Sequence, residues 1–157
     1  MATKQDICKG TDEFVARAEA LAARLSPQDW GKEVYPGGWN VKQVFCHLAA
    51  TAGAAQLFID MAKAPPSSGG GGGFDVDAMN ARAVAARERK SPLEVLSEVR
   101  ATCQTSVQSV ELCSEEFLAK DVSLPWYTGA LGGLLLEVVA EHGKGHLNDI
   151  EKALASG

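Results

Sequence analysis

Glu141-His142-Gly143-Lys144-Gly145-His146, close to the C-terminal end, is the stretch from which the rest of the chain is best read. On a helix, His142 and His146 stand one turn apart on the same face, so two imidazole nitrogens can reach one ion. The only other histidine, His47, lies in a second helical segment, behind Trp39-Asn40-Val41-Lys42. If those two helices pack together, the three imidazoles meet. Three neutral imidazoles leave coordination positions open for water or substrate, unlike a closed structural site. The expectation is a metal site inside a helical bundle. Imidazole suits zinc, nickel and iron(II); zinc or nickel is favoured.

Around the motif, His142 falls four residues after Val138 and His146 four before Ile150, so the histidines should interrupt an apolar inward stripe that includes Leu131, Leu134, Leu135 and Leu154. Gly143 and Gly145 each cost a helix roughly 1 kcal/mol relative to alanine. They either allow a close approach or break the helix. Asp149 and Glu141 are the nearby carboxylates, read as orienting groups or a base for the site, or as surface ion-pair partners.

Working outward, Asn40 with Gln43 three residues on forms a capping box, and Trp39 ahead of it can staple onto Val44. A stripe through Val44, Leu48, Ala55 and Ile59 continues one helix. An earlier helix is expected from Thr11 as N-cap, with Phe14, Ala18, Leu21 and Leu25 as its buried face. Gln28 to Gly38, with Tyr35-Pro36-Gly37-Gly38, is a connecting loop. Residues 64–75, with Pro65-Pro66 and the run Gly69 to Gly73, are a flexible connector; no Lys-Ser or Lys-Thr follows the glycines, so this is no phosphate loop. Ten to twelve extended residues reach roughly 35–40 Å, enough to return along a helix and let the third run parallel to the second. A third helix opens at Asp75-Val76-Asp77 with Met79, Ala83 and Val84 or Ala86 as its apolar face. Its Asn80 or Arg82 could hold an anionic substrate, though such groups are more often a solvated face. Ser91-Pro92, with Glu94, restarts a helix whose stripe runs from Leu93 through Val99 and Cys103 to Leu112. Ser114 to Leu118 is a short extra turn, and Leu124 to Gly129 a loop, where Trp126 beside Tyr127 could stack on a substrate or simply cover the core.

The chain has 157 residues, enough for one domain with a real core, and a net charge of −5. That acidity argues against a nucleic-acid partner, since general binders need a basic surface. No apolar run of about 20 residues is evident, so no membrane partner is expected. Met1 to Asp6 lacks the apolar core of a secretion signal, so a cytoplasmic location is expected. Cys8, Cys46, Cys103 and Cys113 have no metal-site spacing and are expected to be buried, reduced thiols.

Trp39-Asn40-Val41-Lys42-Gln43-Val44-Phe45-Cys46-His47-Leu48, followed by His142-x-x-x-His146 and Asp149-Ile150, resembles the DinB/YfiT-like superfamily, which includes the N-terminal domain of mycothiol-dependent maleylpyruvate isomerase. The resemblance spans nearly the whole chain, and the start of the third helix around Asn80 is similar as well. It implies a single all-α domain over 1–157, a four-helix bundle in up-down-down-up order with the Gly-rich connector between helices 2 and 3. It also implies a divalent metal on His47, His142 and His146. Activities in the superfamily imply a small-molecule substrate, often a low-molecular-weight thiol as cosubstrate, and S-transferase, isomerase or hydrolase chemistry; DNA binding is not implied. Two other readings stay open: a metal-dependent protein that sequesters a small molecule, and a metal-free, self-associating module with core histidines. Bundles of this type often form homodimers through an exposed helix face.

Overall fold

The computed structural model describes residues 1–64 and 75–156. Helices α1 (Lys4–Arg24), α2 (Val41–Thr51), α3 (Ala55–Lys63), α4 (Val76–Ala85), α5 (Pro92–Glu111) and α6 (Glu115–Leu118) lead to a two-stranded hairpin, β1 (Asp121–Leu124) and β2 (Tyr127–Ala130). Then α7 (Leu131–Leu136), a π-helical turn (Glu137–Glu141) and α8 (His142–Ala155) follow without interruption. The connector expected over 64–75 falls outside the described residues, except for Ala64 and Asp75 at its ends.

Local chemistry sets most of these boundaries. Asn40 accepts from the Gln43 N–H while the Gln43 side chain accepts from the Asn40 N–H, and Ser91 and Glu94 repeat the arrangement ahead of Pro92. The first helix starts earlier than expected. Its cap is Thr3, paired reciprocally with Asp6, and Thr11 is buried in mid-helix. There the Thr11 hydroxyl donates to the Ile7 carbonyl one turn back, which lets a threonine sit inside a helix instead of starting one.

The second expected helix is divided. Between α2 and α3 the backbone turns at Ala52–Ala54, and the Ala52 carbonyl accepts from the Ser106 hydroxyl of α5. Gly53 sits against Thr102, where an added Cβ would meet the threonine Cβ at 3.3 Å. Taken together, Val41–Lys63 is long and apolar enough to cross a membrane, contrary to the sequence expectation. Only Lys42, Asp60 and Lys63 carry full charges in it. Here Val41, Val44, Phe45, Leu48 and Ile59 are buried against the other helices.

The all-α expectation also needs correcting. Residues 124–129, expected as loop, are mostly hairpin: Asp121 pairs with Ala130 and Leu124 with Tyr127, leaving Pro125-Trp126 as a two-residue turn. Val122 and Leu124 face inward in alternation with exposed Asp121 and Ser123, a period of two short enough to pass unnoticed.

Two apolar clusters fill the interior. One gathers Phe14, Phe45, Leu48, Val99, Leu147 and Ile150; the other gathers Ile7, Ile59, Val110, Leu118, Leu131 and Leu135. Each such fully buried side chain contributes roughly 1.5–3 kcal/mol. The stripe of α5 is narrower than expected, because Leu93 and Leu112 at its two ends are exposed. On α4 only Val84 is buried. Along α1, Gly10 faces Leu136 and Ala140, Phe14 faces Gly143, and Arg17 bonds Asn148. Against α5 the order reverses, with Lys4 bonding Glu111 and Glu19 paired to Arg100.

Candidate metal centre

The loop before α2 is built to project two aromatic rings. Val34 N–H donates to the Trp39 carbonyl, Val41 N–H to the Lys32 carbonyl, and Glu33 bridges Asn40. At the tip, Gly38 N–H returns to the Tyr35 carbonyl at 2.8 Å. Pro36 in the second position and Gly37 at φ 70° in the third are the pattern of a type II turn, which needs a residue free to adopt positive φ. Trp39 and Tyr35 therefore leave this loop toward α2 and α8.

The last helix is continuous through Gly143 and Gly145. Gly143 packs against the Phe14 ring, while Gly145 has open space around it. The π-helical turn precedes them, with His142 N–H donating to the Glu137 carbonyl five residues back. One extra residue in the turn resets the faces. The buried row is Val139, Gly143, Leu147 and Ile150, so the histidines stand beside the apolar stripe and do not interrupt it.

The three histidines converge. His146 Nε2 lies 3.0 Å from His142 Nε2, and His47 Nε2 lies 3.3 Å from the same atom. Their candidate ligand atoms all fall within 4.8 Å of one another. Imidazole nitrogens at about 2.0–2.1 Å from one tetrahedral ion would stand about 3.3 Å apart, so the donor set fits a divalent metal such as zinc. Protonation also suits it. Burial, then the neighbouring His142 and His146, depress His47 to about 3. Burial, then His142, depresses His146 to about 4, and burial lowers His142 as well. All three are neutral near pH 7, the form that binds metals.

The surroundings are aromatic and polar. Trp39 lies over His47 with ring centroids 4.9 Å apart. Tyr35 Oη stands 2.6 Å from His146 Nδ1 and donates to Asp149 Oδ2 at 2.7 Å. Burial and the Asp149 carboxylate push the phenol's pKa upward, so it keeps its proton. Tyr35 was not among the expected site residues. Its place in a glycine-rich turn hides a partner 111 residues away, and an aromatic residue opening such a turn is the only local signal. His47 Nδ1 is buried with no hydrogen-bond partner among the described residues.

Other expected positions sort themselves by contact. Asp149 reaches His146 through Tyr35. Glu141 is exposed and turned away, ion-paired to Lys144, which also bonds Glu13 on α1. Asn80 is half-buried and Arg82 exposed, on the helix α4 that packs on α2. Trp126 lies on the hairpin with its ring near Phe58 and Tyr127, whereas the aromatic neighbours of the histidines are Tyr35 and Trp39. Cys46, Cys103 and Cys113 are buried and Cys8 half-buried; burial raises Cys103 to about 12.

Residues 11–139 match the family described as the mycothiol maleylpyruvate isomerase N-terminal domain. No curated protein sequence matches the chain. Among solved structures, YfiT from Bacillus subtilis, described as a probable metal-dependent hydrolase with an unusual four-helix bundle topology, is similar with a TM-score of 0.69 and 15% identity, over 96% of this chain and 85% of that one. The colibactin self-resistance protein ClbS, in complex with double-stranded DNA, is similar with a TM-score of 0.72 and 15% identity, over 98% and 96%. DfsB, a sibling lethal factor precursor, has a TM-score of 0.69 and 12% identity, over 97% and 95%. The chain shares their fold. The ClbS complex overturns the expectation that nucleic acid is excluded, because a protein of this fold is held on DNA; net acidity is a whole-chain sum and does not describe any one face.

Proposed function

The chain belongs to the mycothiol maleylpyruvate isomerase N-terminal domain family, and on that premise we propose that it is a divalent-metal-dependent enzyme acting on a small molecule, with a low-molecular-weight thiol as cosubstrate in transferase or isomerase chemistry. The observation that carries this reading is the convergence of three neutral imidazole nitrogens, with separations of 3.0 and 3.3 Å. His47, His142 and His146 would hold zinc, nickel or iron through Nε2. Such an ion supplies Lewis acidity, lowering the pKa of a bound water or thiol near neutral pH. Trp39 covers His47 and shields that side from solvent. Tyr35, kept protonated, stands beside His146 as a donor, and Asp149 holds it. No cysteine of the chain is needed as nucleophile, which agrees with the raised pKa of each thiol.

The same reading takes the chain as one domain in up-down-down-up order. Its support lies in the contact pairs: α1 and the last helix meet in rising register through Phe14–Gly143 and Arg17–Asn148. The start of α2 lies beside the turn ahead of α5, where Lys42 bonds the Glu88 carbonyl, and its end lies beside Ser106 within α5, which bonds the Ala52 carbonyl, so the two helices run in rising register; α1 meets α5 in opposite register.

The test is elemental analysis of untagged protein after reconstitution with zinc, nickel or iron(II). About one equivalent of metal in the wild type, lost in folded His47→Ala, His142→Ala and His146→Ala, is the expected result. A thiol titrated into the nickel-loaded protein should then produce a sulfur-to-metal charge-transfer band. No metal uptake by a folded wild type would overturn the reading.

A further inference from the structure

We propose that Tyr35 and Asp149 form a tautomer lock on His146, with Tyr35 as a positioning residue that keeps the His146 Nε2 lone pair aimed at the other two imidazoles; this rests on reading His146 as a ligand. A phenol has one proton, and a carboxylate only accepts. The Tyr35 hydroxyl donates to Asp149 Oδ2 at 2.7 Å, so its proton is committed. The same oxygen lies 2.6 Å from His146 Nδ1. The short contact then requires Nδ1 to carry the hydrogen and donate it. In a neutral imidazole that leaves Nε2 bare, and Nε2 is the atom 3.0 Å from His142.

The lock has a direction, and that direction comes from Asp149. Without the carboxylate, the phenol is free to turn its proton toward Nδ1. Nδ1 would then accept, Nε2 would take the hydrogen, and the ligand atom would be blocked. Removing the hydroxyl instead leaves Nδ1 without either bias. The Tyr35 ring stays packed in Tyr35→Phe, because its contact with the core is made by carbon. Loss of Asp149 should therefore do more harm than loss of the tyrosine hydroxyl, and deleting the hydroxyl should rescue the Asp149 variant. A merely structural role predicts no such rescue.

The experiment uses ¹⁵N-labelled full-length protein without metal, reading His146 side-chain nitrogens by NMR, together with zinc and nickel affinities by competition titration. Wild-type His146 should be the Nδ1–H tautomer, Asp149→Ala the Nε2–H tautomer, and Tyr35→Phe/Asp149→Ala a mixture. Outer hydrogen-bond partners of a ligating histidine typically govern about 10- to 100-fold in affinity. Tyr35→Phe should thus weaken binding roughly 10-fold, Asp149→Ala roughly 100-fold, and the double variant should return to roughly 10-fold. An Nε2–H tautomer in the wild type overturns the lock outright, whether or not any variant folds. Unchanged affinities in variants of a metal-binding wild type also overturn it while leaving the metal site standing. The expected tautomer pattern in a wild type that takes up no metal would support the lock and sink the ligand reading alone.

Discussion

Two glycines two residues apart in α8 should respond differently to the same substitution, one gaining stability and the other not. At Gly145 an added Cβ meets nothing within 4 Å, so Gly145→Ala gains only the helix propensity of alanine, about 0.8–1 kcal/mol. At Gly143 the Cβ would stand 2.5, 2.7 and 2.9 Å from three carbons of the Phe14 ring. Carbon atoms rest at about 3.5–4.0 Å, so the ring must retreat by about 1 Å. Phe14 is 1% exposed and packed in the core with Leu147 and Ile150, which leaves no free direction for that movement. Overpacking of this kind costs about 1–3 kcal/mol. The propensity gain is common to both variants and cancels in their difference, so the gap between them measures the steric cost alone, about 1–3 kcal/mol. Gly145→Ala should raise Tm by about 2–4 °C for a chain of this size, and Gly143→Ala should leave it unchanged or lower it by up to about 8 °C. Calorimetry on metal-free protein removes any contribution from ligand binding. Phe14→Leu should then couple favourably with Gly143→Ala, the double variant being less destabilised than the sum of the singles. Equal stabilisation by both alanines, or zero coupling with Phe14, would show that the seam between α1 and α8 is looser than the ring contacts require.

The metal-free protein should lose stability as pH falls. The folded state resists protonation until about 3 at His47 and about 4 at His146, whereas the unfolded histidines take up protons near 6.5. The unfolded chain therefore binds more protons across that window: the penalty is absent above about pH 6.5, grows as pH falls, and is complete below about 3. Urea midpoints at about pH 7.5 and 5 should differ, and His47→Gln should flatten the difference; a flat wild-type profile would contradict the burial of neutral imidazoles. Separately, Ser106→Ala leaves the Ala52 carbonyl without its donor at the turn between α2 and α3. It should cost about 1–3 kcal/mol in denaturant unfolding, and a change within about 0.5 kcal/mol would mean that another donor reaches the carbonyl.

What the sequence discloses here is the chemistry that acts over three or four residues. The capping boxes at Asn40–Gln43 and Ser91–Glu94 are legible because both partners lie within one turn. The same rule misleads at Thr11, where a threonine before two acids looks like a cap but bonds backward to Ile7, while the true cap, Thr3, carries the same box with Asp6. The division of α2 from α3 is illegible because the hydroxyl that satisfies the Ala52 carbonyl there, that of Ser106, lies 54 residues away. The histidine pair could be placed on a shared face from spacing alone. Their relation to the apolar stripe could not, because the π-helical turn at Glu137–Glu141 shifts the period by one residue and leaves no compositional mark. Tyr35 belongs with the long-range terms, since only the folded loop carries its hydroxyl to His146 and Asp149.

These two kinds of term meet in the last helix, where packing and chemistry occupy adjacent faces. Gly143 lies on the buried row and lets α1 approach until the Phe14 ring touches the backbone. His142 and His146 each precede a member of that row by one residue, about 100° around the helix, which turns them toward α2 and His47. With the π-helical turn replaced by regular helix, either the apolar row or the histidine face could be satisfied, but not both with this sequence. The extra residue allows Leu131, Leu134 and Leu135 to keep the lower core while the histidines keep their face. A last helix that sets Gly143 and Gly145 among its histidines, follows a widened turn and supplies two of three clustered neutral imidazoles departs from local preferences for stability. Such departures concentrate where a function requires them. The imidazole cluster is poorly satisfied at its centre: each pair of facing nitrogens can share at most one hydrogen, and His47 Nδ1 has no partner among the described residues. A bound cation would relieve that arrangement by accepting all three lone pairs at once, which the apolar row beside it has no need of and does not supply.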